Sequence, residues 1–304
     1  VPLADGSRAA EGATITPDAI EPARFYGKSR GPDTARNGDF LSGASPAGLC
    51  WTEAILGCPV RIVTGGPWAD PFVDDLHKPG ALEPDERWLA KLDQFVDLLA
   101  ERADGRHPVV QPLMRGPVDM MAAAVGHEPM CLALTEPREA SDAFLARCAE
   151  VFILSAARRL DHTPPFEGGY TSSYGIWAPG TVVRTQLDNA TMLSSGVYAD
   201  RVLEHDQRVM EAFDYALIHV HSGCLHIVDP LLTMDPLRII QVSVDYPGGP
   251  LASEIMPILE KVLQHKSLIL TGPVTQTELD DLKSLSPQGR LCLQVQLVDD
   301  ESSG

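Results

Sequence analysis

The chain is short of positive charge. Against 42 Asp and Glu it sets 24 Lys and Arg, a formal charge of −18 over 304 residues. A surface of that sign repels nucleic acid and anionic membranes, so neither is expected as a partner. A polyanionic substrate would need a local cationic cleft. No run of about 18 apolar residues occurs, which excludes a membrane-spanning helix. GxGxxG, P-loop and GxSxG patterns are all missing, which argues against nucleotide and serine-hydrolase chemistry. Cysteine is sparse as well. Cys50, Cys58, Cys131, Cys148, Cys224 and Cys292 are scattered without the spacing of a small disulfide scaffold. They read as reduced thiols in a cytoplasmic protein. The sequence opens on Val1 rather than Met, so a leader upstream stays open.

What is present is an apolar content of 44%, enough for a large core in one or two domains. Residues 1–50 lack periodicity and read as an arm with loops, in which Asp33, Asn37 and Asp39 could approach a cleft. From residue 51 the pattern becomes regular. WTEAILGC (51–58) reads as a short helix ended by Gly57, and VRIVTGG as a strand over 60–65 running into a turn. Trp88, Leu92, Phe95, Val96 and Leu99 make the stripe of an amphipathic helix over 84–102. PVVQPLM (108–114) reads as a strand that turns at Arg115-Gly116-Pro117 into a helix, VDMMAAAV, with Met120 and Met121 in the core. A long helix follows over 136–160, with Pro137 in its first turn. GGYTSSYGIWAP (168–179) is an aromatic, glycine-punctuated loop of the kind that often carries function, and Tyr174 and Trp177 could cap a substrate from it.

Beyond residue 181 strands and helices alternate. Strands are predicted over 182–188, 217–222, 239–245, 268–272 and 291–298. Helices are predicted over 195–214, 227–232, 251–264 and 275–285, the last capped by Thr275 with Glu278. That order implies parallel strands joined by crossover helices. The strands also share a polar face that ends, at the C-terminal side, in Asp188, His221 and Asp245. Arg184 and Gln186 lie on the face of Asp188, and Gln241 on that of Asp245. A sheet covered by helices on both sides reads apolar on both. A recurrent polar face fits a closed (β/α)8 TIM barrel with its site at the strand C-termini. Seven strands are accounted for, and the eighth falls in 168–175 or upstream of Val1.

The chemistry gathers in LIHVHSGCLH (217–226). Period-two alternation puts His219 and His221 on one face and Ile218 and Val220 on the other. Two imidazoles one pleat apart, with Cys224 three residues on, have metal-ligand spacing, and both donor types suit zinc. The plainer reading is a pair of core histidines satisfied by hydrogen bonds. His205 and His226 read as packed or solvated.

Five stretches resemble the uroporphyrinogen decarboxylase superfamily, which includes zinc-dependent methylcobamide:coenzyme M methyltransferases. They are QPLMRGPVDMMAAAVG (111–126), QLDNATMLSSGVYADRVLEHDQRVMEAF (186–213), LIHVHSG (217–223), IIQVSVDY (239–246) and LTGPV (270–274). The resemblance implies a (β/α)8 barrel over 51–304, and paired copies of the chain. It also implies zinc on the strand where the methyltransferases carry His-x-Cys-Gly. Here His219 matches the histidine, and His221 stands where that family has cysteine. The remaining thiolate would come from Cys292 on the last strand, with Cys224 the nearer alternative. A site with fewer thiolates is harder and less electron-rich. The arginine-rich N-terminal motif of the decarboxylase branch is absent, which leaves Arg115 and Arg184 as inward-facing cations.

Three functions are compatible with this reading. The first is zinc-dependent methyl transfer to or from a small molecule or corrinoid, with a corrinoid protein as partner. In it Asp188 and Asp245 orient ligands or exchange protons, and Arg115, Arg184, Gln186, Gln241 and Trp177 contact substrate. The second is cofactor-free decarboxylation by Asp and Arg groups. The third is corrinoid or metabolite binding without chemistry.

Overall fold

The computed structural model describes residues 1–26, 36–37, 40–78, 82–285 and 289–299. Asp33 and Asp39 therefore lie outside the described residues, and of Asn37 only the backbone is described. The architecture is mixed α/β, organised on a five-stranded parallel sheet. Its strands are β1 (Val182–Gln186), β2 (Tyr215–His221), β3 (Leu237–Ser243), β4 (Ser267–Val274) and β5 (Leu291–Leu297), in the order β5-β4-β3-β2-β1. The helices α1 (Trp51–Leu56), α2 (Glu86–Ala103), α3 (Pro117–Val125) and α4 (Arg138–Asp161) precede the sheet. The crossovers carry α5 (Leu203–Glu211), α6 (Val228–Leu232), α7 (Ala252–His265) and α8 (Gln276–Ser284).

The register decides which side chains share a face. Gln186, His219, Gln241, Ile269 and Cys292 are aligned across the five strands. Alternation then places Val183, Ile218, Val220, Ile240, Val242, Leu268 and Leu270 on the opposite face, all buried in the main core. Burying side chains of this size contributes about 1.5–3 kcal/mol each. The other face carries the polar residues Arg184, Gln186, His219, His221, Gln241, Ser243, Thr271 and Gln294 beside the apolar Val182, Leu217, Ile239 and Ile269. Tyr174 crosses it. Its carbonyl accepts from Gln294 Nε2 on β5 at 2.8 Å, and its hydroxyl stands 3.2 Å from His219 Nδ1 on β2.

The helices follow the hydrophobic pattern. Asp85 caps α2 by accepting from the amides of Arg87 and Trp88, and the predicted stripe from Trp88 to Leu99 is buried. Thr275 and Glu278 form the capping box of α8. The predicted helix over 195–214 is instead divided. A short turn at Ser195–Val197 leads into one turn of π-helix over Tyr198–Val202 before α5 begins.

Three of the predicted strands are placed differently. Val60–Val63 is a strand, but it pairs antiparallel with Gly66–Ala69 and Thr14–Ile15 in a separate three-stranded sheet. The turn needs Gly65 at φ +103°, and a glycine in that conformation folds the chain back on itself. Tyr170–Thr171 pairs with Trp177–Ala178, so residues 168–178 form a hairpin of their own. The segment 108–114 is not laddered, because Pro108 and Pro112 have no N–H to donate. It runs beside β1 through a substitute. The Gln111 side chain donates to the Arg184 carbonyl at 2.6 Å and accepts from the Arg184 amide at 2.7 Å, and Gly116 N–H donates to the Gln186 carbonyl at 3.1 Å. A single parallel bridge joins Val109 to Ala44 on its far side. All six cysteines are free, and among the described residues no helix is long and apolar enough to cross a membrane.

The close approach at Gly116 yields a prediction. A Cβ there would stand 2.6 Å from the Gln186 carbonyl oxygen and 2.7 Å from Thr185 Oγ1. Gly116→Ala should lower stability by about 1–3 kcal/mol in chemical denaturation. Gly48→Ala, where a Cβ meets nothing within 4 Å, should stay within about 0.5 kcal/mol of the parent. Equal stability of the two variants would disprove the contact.

Candidate metal centre

The last two inward positions of β2 carry His219 and His221. Their Nε2 atoms are 3.3 Å apart, and both rings are anchored from behind. His221 Nδ1–H donates to Asp245 Oδ2 at 2.8 Å. His219 Nδ1–H donates to Gln241 Oε1, and the Gln241 amide in turn donates to Thr271 Oγ1 at 2.9 Å. An imidazole whose Nδ1 carries the proton presents a lone pair at Nε2. With both rings neutral, two such lone pairs point at the same small volume.

Asp188 completes the group. Its Oδ1 lies 3.3 Å from His221 Nε2 and 3.9 Å from His219 Nε2, is buried, and has no hydrogen-bond partner. Its other oxygen accepts from the Gln186 amide. The position of Asp188 is set by Asp119, a buried carboxylate in the first turn of α3. Asp119 accepts from the backbone amide of Asp188 at 2.9 Å, and from the backbone amide and side-chain Nδ2 of Asn189, both at 2.8 Å. Those bonds hold the turn after β1 so that Asp188 faces the histidines. Nothing in the sequence pointed to Asp119, since an acid in a first helical turn is common for dipole reasons alone.

The electrostatics separate the two rings. The Asp188 carboxylate beside it, with the charge of Asp245, pushes His221 up to about 9. Burial, with the positive charge of Arg184, pushes His219 down to about 4. Burial raises Asp188, but the adjacent His221, the hydrogen bond from Gln186 and the charges of both histidines leave it below the ordinary carboxylate value. Burial and the neighbouring Asp188 charge push Asp119 up to about 7.

Around this group the other predicted residues divide. Arg184 is buried on the polar face. It reaches the Tyr174 hydroxyl with one nitrogen at 3.4 Å and leaves its Nε without a partner. Arg115 donates to the buried Glu53 at 2.8 Å, stands 3.9 Å from Asp188 and lies over the Trp68 ring at 5.8 Å. Glu53 escaped the sequence reading because it sits inside an apolar helical run. Arg115, Asp119 and Asp188 share the wall of a cavity of about 330 Å³ with Trp68, Asn189 and Met192.

The structure places the remaining expected residues apart from this group. Trp177 does not reach the group, because its indole N–H donates to the Phe166 carbonyl at 2.9 Å and its ring packs on Gly169. Neither sulfur joins the converging donors, which are Asp188, His219 and His221. Cys224 leaves the strand with the turn and is buried among apolar neighbours, where burial pushes its thiol up to about 11. Cys292 aligns with Ile269, two strands away from His219, and burial raises its thiol too.

The residues present fit a divalent metal. Donors bound at about 2.0–2.1 Å to tetrahedral zinc lie about 3.3 Å from one another, and three protein ligands leave a fourth position for water or substrate. The observed separations of 3.3, 3.3 and 3.9 Å are of that size. The anchoring of each ring through Nδ1 is the support that metal-bound histidines require. No family model matches the chain, and no curated protein matches it.

The metal-free protein should report the His221 environment through pH. Its folded value of about 9 exceeds the ordinary 6.5, so folding binds a proton that the unfolded chain releases over that interval. The resulting stability is complete below about 6.5 and is lost as pH rises through 9. Thermal denaturation of chelator-treated protein should therefore show a decline over that window, flattened in His221→Gln. An unchanged slope in the variant would contradict the pairing with Asp188 and Asp245.

Proposed function

We propose that this chain is a metal-dependent enzyme of the uroporphyrinogen decarboxylase superfamily, with the polar sheet face turned into a (β/α)8 barrel. The bound metal is zinc, held by His219, His221 and Asp188, and the reaction is methyl transfer involving a small molecule or a corrinoid. One observation carries this reading: two Nδ1-anchored imidazoles and an orphaned carboxylate oxygen converge on one point. The barrel is supported by the Gln111 contacts, which extend the sheet edge beyond β1, and by Tyr174, which spans from β2 to β5. The five matching stretches and their order support the superfamily.

Zinc in such a site binds a thiol or other nucleophile and lowers its pKa. The residues of the chain do the rest. Asp245 and Gln241 keep both rings in the ligating tautomer. Gln186 and Asp119 hold Asp188 against them. Tyr174 and Arg184 offer hydrogen-bond donors to the polar end of a substrate. An N,N,O donor set is harder than the thiolate-rich set of the methyltransferase branch, so the acceptor need not be a thiol. A second reading, cofactor-free decarboxylation, draws on the unpartnered Nε of buried Arg184, which suits a carboxylate.

Metal analysis of the purified protein decides between them. Stoichiometric zinc that disappears in His219→Ala and Asp188→Ala supports the first reading. Asp245→Ala should retain the fold and bind zinc about 10–100-fold more weakly. Catalysis that persists in His219→Ala but fails in Arg184→Ala, without metal, would favour decarboxylation. Absence of metal at this site in the parent protein, with activity intact in His219→Ala, would refute the first reading.

A further inference from the structure

A second set of donors converges outside the sheet, where α4 packs on α5. Asp142 comes from α4, and Glu204 and His205 from the first turn of α5, just past the π-helical turn. Asp142, Glu204 and His205 each offer a ligand atom, and the three atoms lie within 4.8 Å of one another. An acidic cluster alone would say little. The informative feature is His205, which is only 6% exposed and whose Nε2 is buried without a hydrogen-bond partner. The closest charged oxygen is Glu204 Oε1 at 3.6 Å, beyond hydrogen-bond length. Asp142 Oδ1 is likewise buried and unpartnered.

Neither tautomer of His205 resolves this. With the proton on Nδ1, a lone pair faces two carboxylates. With the proton on Nε2, the donor reaches no acceptor. A buried polar atom left this way costs about 1–3 kcal/mol.

The flanking arginines leave Asp142 Oδ1 and His205 Nε2 unpartnered. Arg138 binds Asp142 Oδ2 at 2.9 Å, the Asp200 carbonyl at 2.9 Å and Glu204 Oε1 at 3.2 Å, and comes within 3.5 Å of the Asp200 carboxylate. Arg201 donates to the Glu136 carbonyl at 3.0 Å and to Ser141 Oγ at 2.7 Å, and its Nε stays 3.9 Å from Asp142 Oδ1. Three carboxylates, those of Asp142, Asp200 and Glu204, face these two guanidiniums, so the cluster keeps negative charge. One oxygen of Asp142 is pinned by Arg138, and the other is left to ligate.

We propose that Asp142, Glu204 and His205 form a second divalent-metal site, for a borderline ion of the zinc or nickel class, that clamps α4 to α5. Mixed imidazole and carboxylate donors suit such ions. The site is independent of the sheet histidines, and α5 leads directly into β2, so the clamp braces the helix from which that strand departs.

Zinc titration of metal-depleted full-length chain tests this, with stoichiometry read by equilibrium dialysis and mass spectrometry. His219→Ala should still bind one equivalent, and His205→Ala/His219→Ala none. Zinc should raise the melting temperature of His219→Ala and leave the double variant unmoved. Glu204→Gln, at an exposed position, keeps the fold testable and should weaken this site by about tenfold or more. Loss of all zinc binding in His219→Ala would overturn the proposal, as would an equivalent that persists in the double variant. If the parent chain binds a single equivalent that His205→Ala removes, the clamp stands and the sheet-site reading fails.

Discussion

A polar group removed from water must find a partner, and this sheet gathers a cluster of them on one face. Four of the five strands present Arg184, Gln186, His219, Gln241 and Thr271 where an ordinary parallel sheet would present valine and isoleucine. Most are held by hydrogen bonds to residues beside them on the same face. Thr271 accepts from Gln241, Gln241 accepts from His219, Asp245 accepts from His221, and Gln186 donates to Asp188. The direction of these bonds matters more than their number. Gln241 and Asp245, which accept from the two rings, lie behind them, so the Nε2 atoms face forward. An arrangement assembled in this way is pre-organised before any ligand arrives, and little further ordering is required on binding.

The same frame splits the two imidazoles into different electrostatic environments. His221 is sandwiched between two carboxylates and gains from a positive charge. His219, two residues earlier, lies deeper and beside Arg184, and loses by one. Adjacent titratable groups driven in opposite directions are a mark of functional sites. Asp119 belongs to this frame as well. It touches neither ring, yet it governs where the third donor stands by accepting from three N–H groups on the turn after β1.

How much of this could be read from residues alone follows from the range of each interaction. The period-two alternation of β2 put both histidines on one face. The apolar stripe from Trp88 to Leu99 marked α2, and the Thr275 and Glu278 cap marked α8. These are local regularities, imposed by neighbours within one element. The reading failed where partners were distant in sequence. Val60–Val63 has the composition of a core strand, but a glycine turn commits it to a hairpin. The segment 108–114 has the right side chains, yet its prolines remove the donors a ladder needs. The cysteines of 224 and 292 had donor chemistry without donor position.

The sequence by itself determined the alternation of parallel strands and helices, the polar face of the sheet, and the identity of the paired imidazoles, because those depend on spacing of two or four residues. Only the tertiary structure decided that Asp188, and neither Cys224 nor Cys292, stands beside the two imidazoles, that Asp119 stations it, and that Asp142 meets His205. Those meetings depend on register between strands and on packing between helices, where the separations along the chain are tens of residues and no local pattern records them.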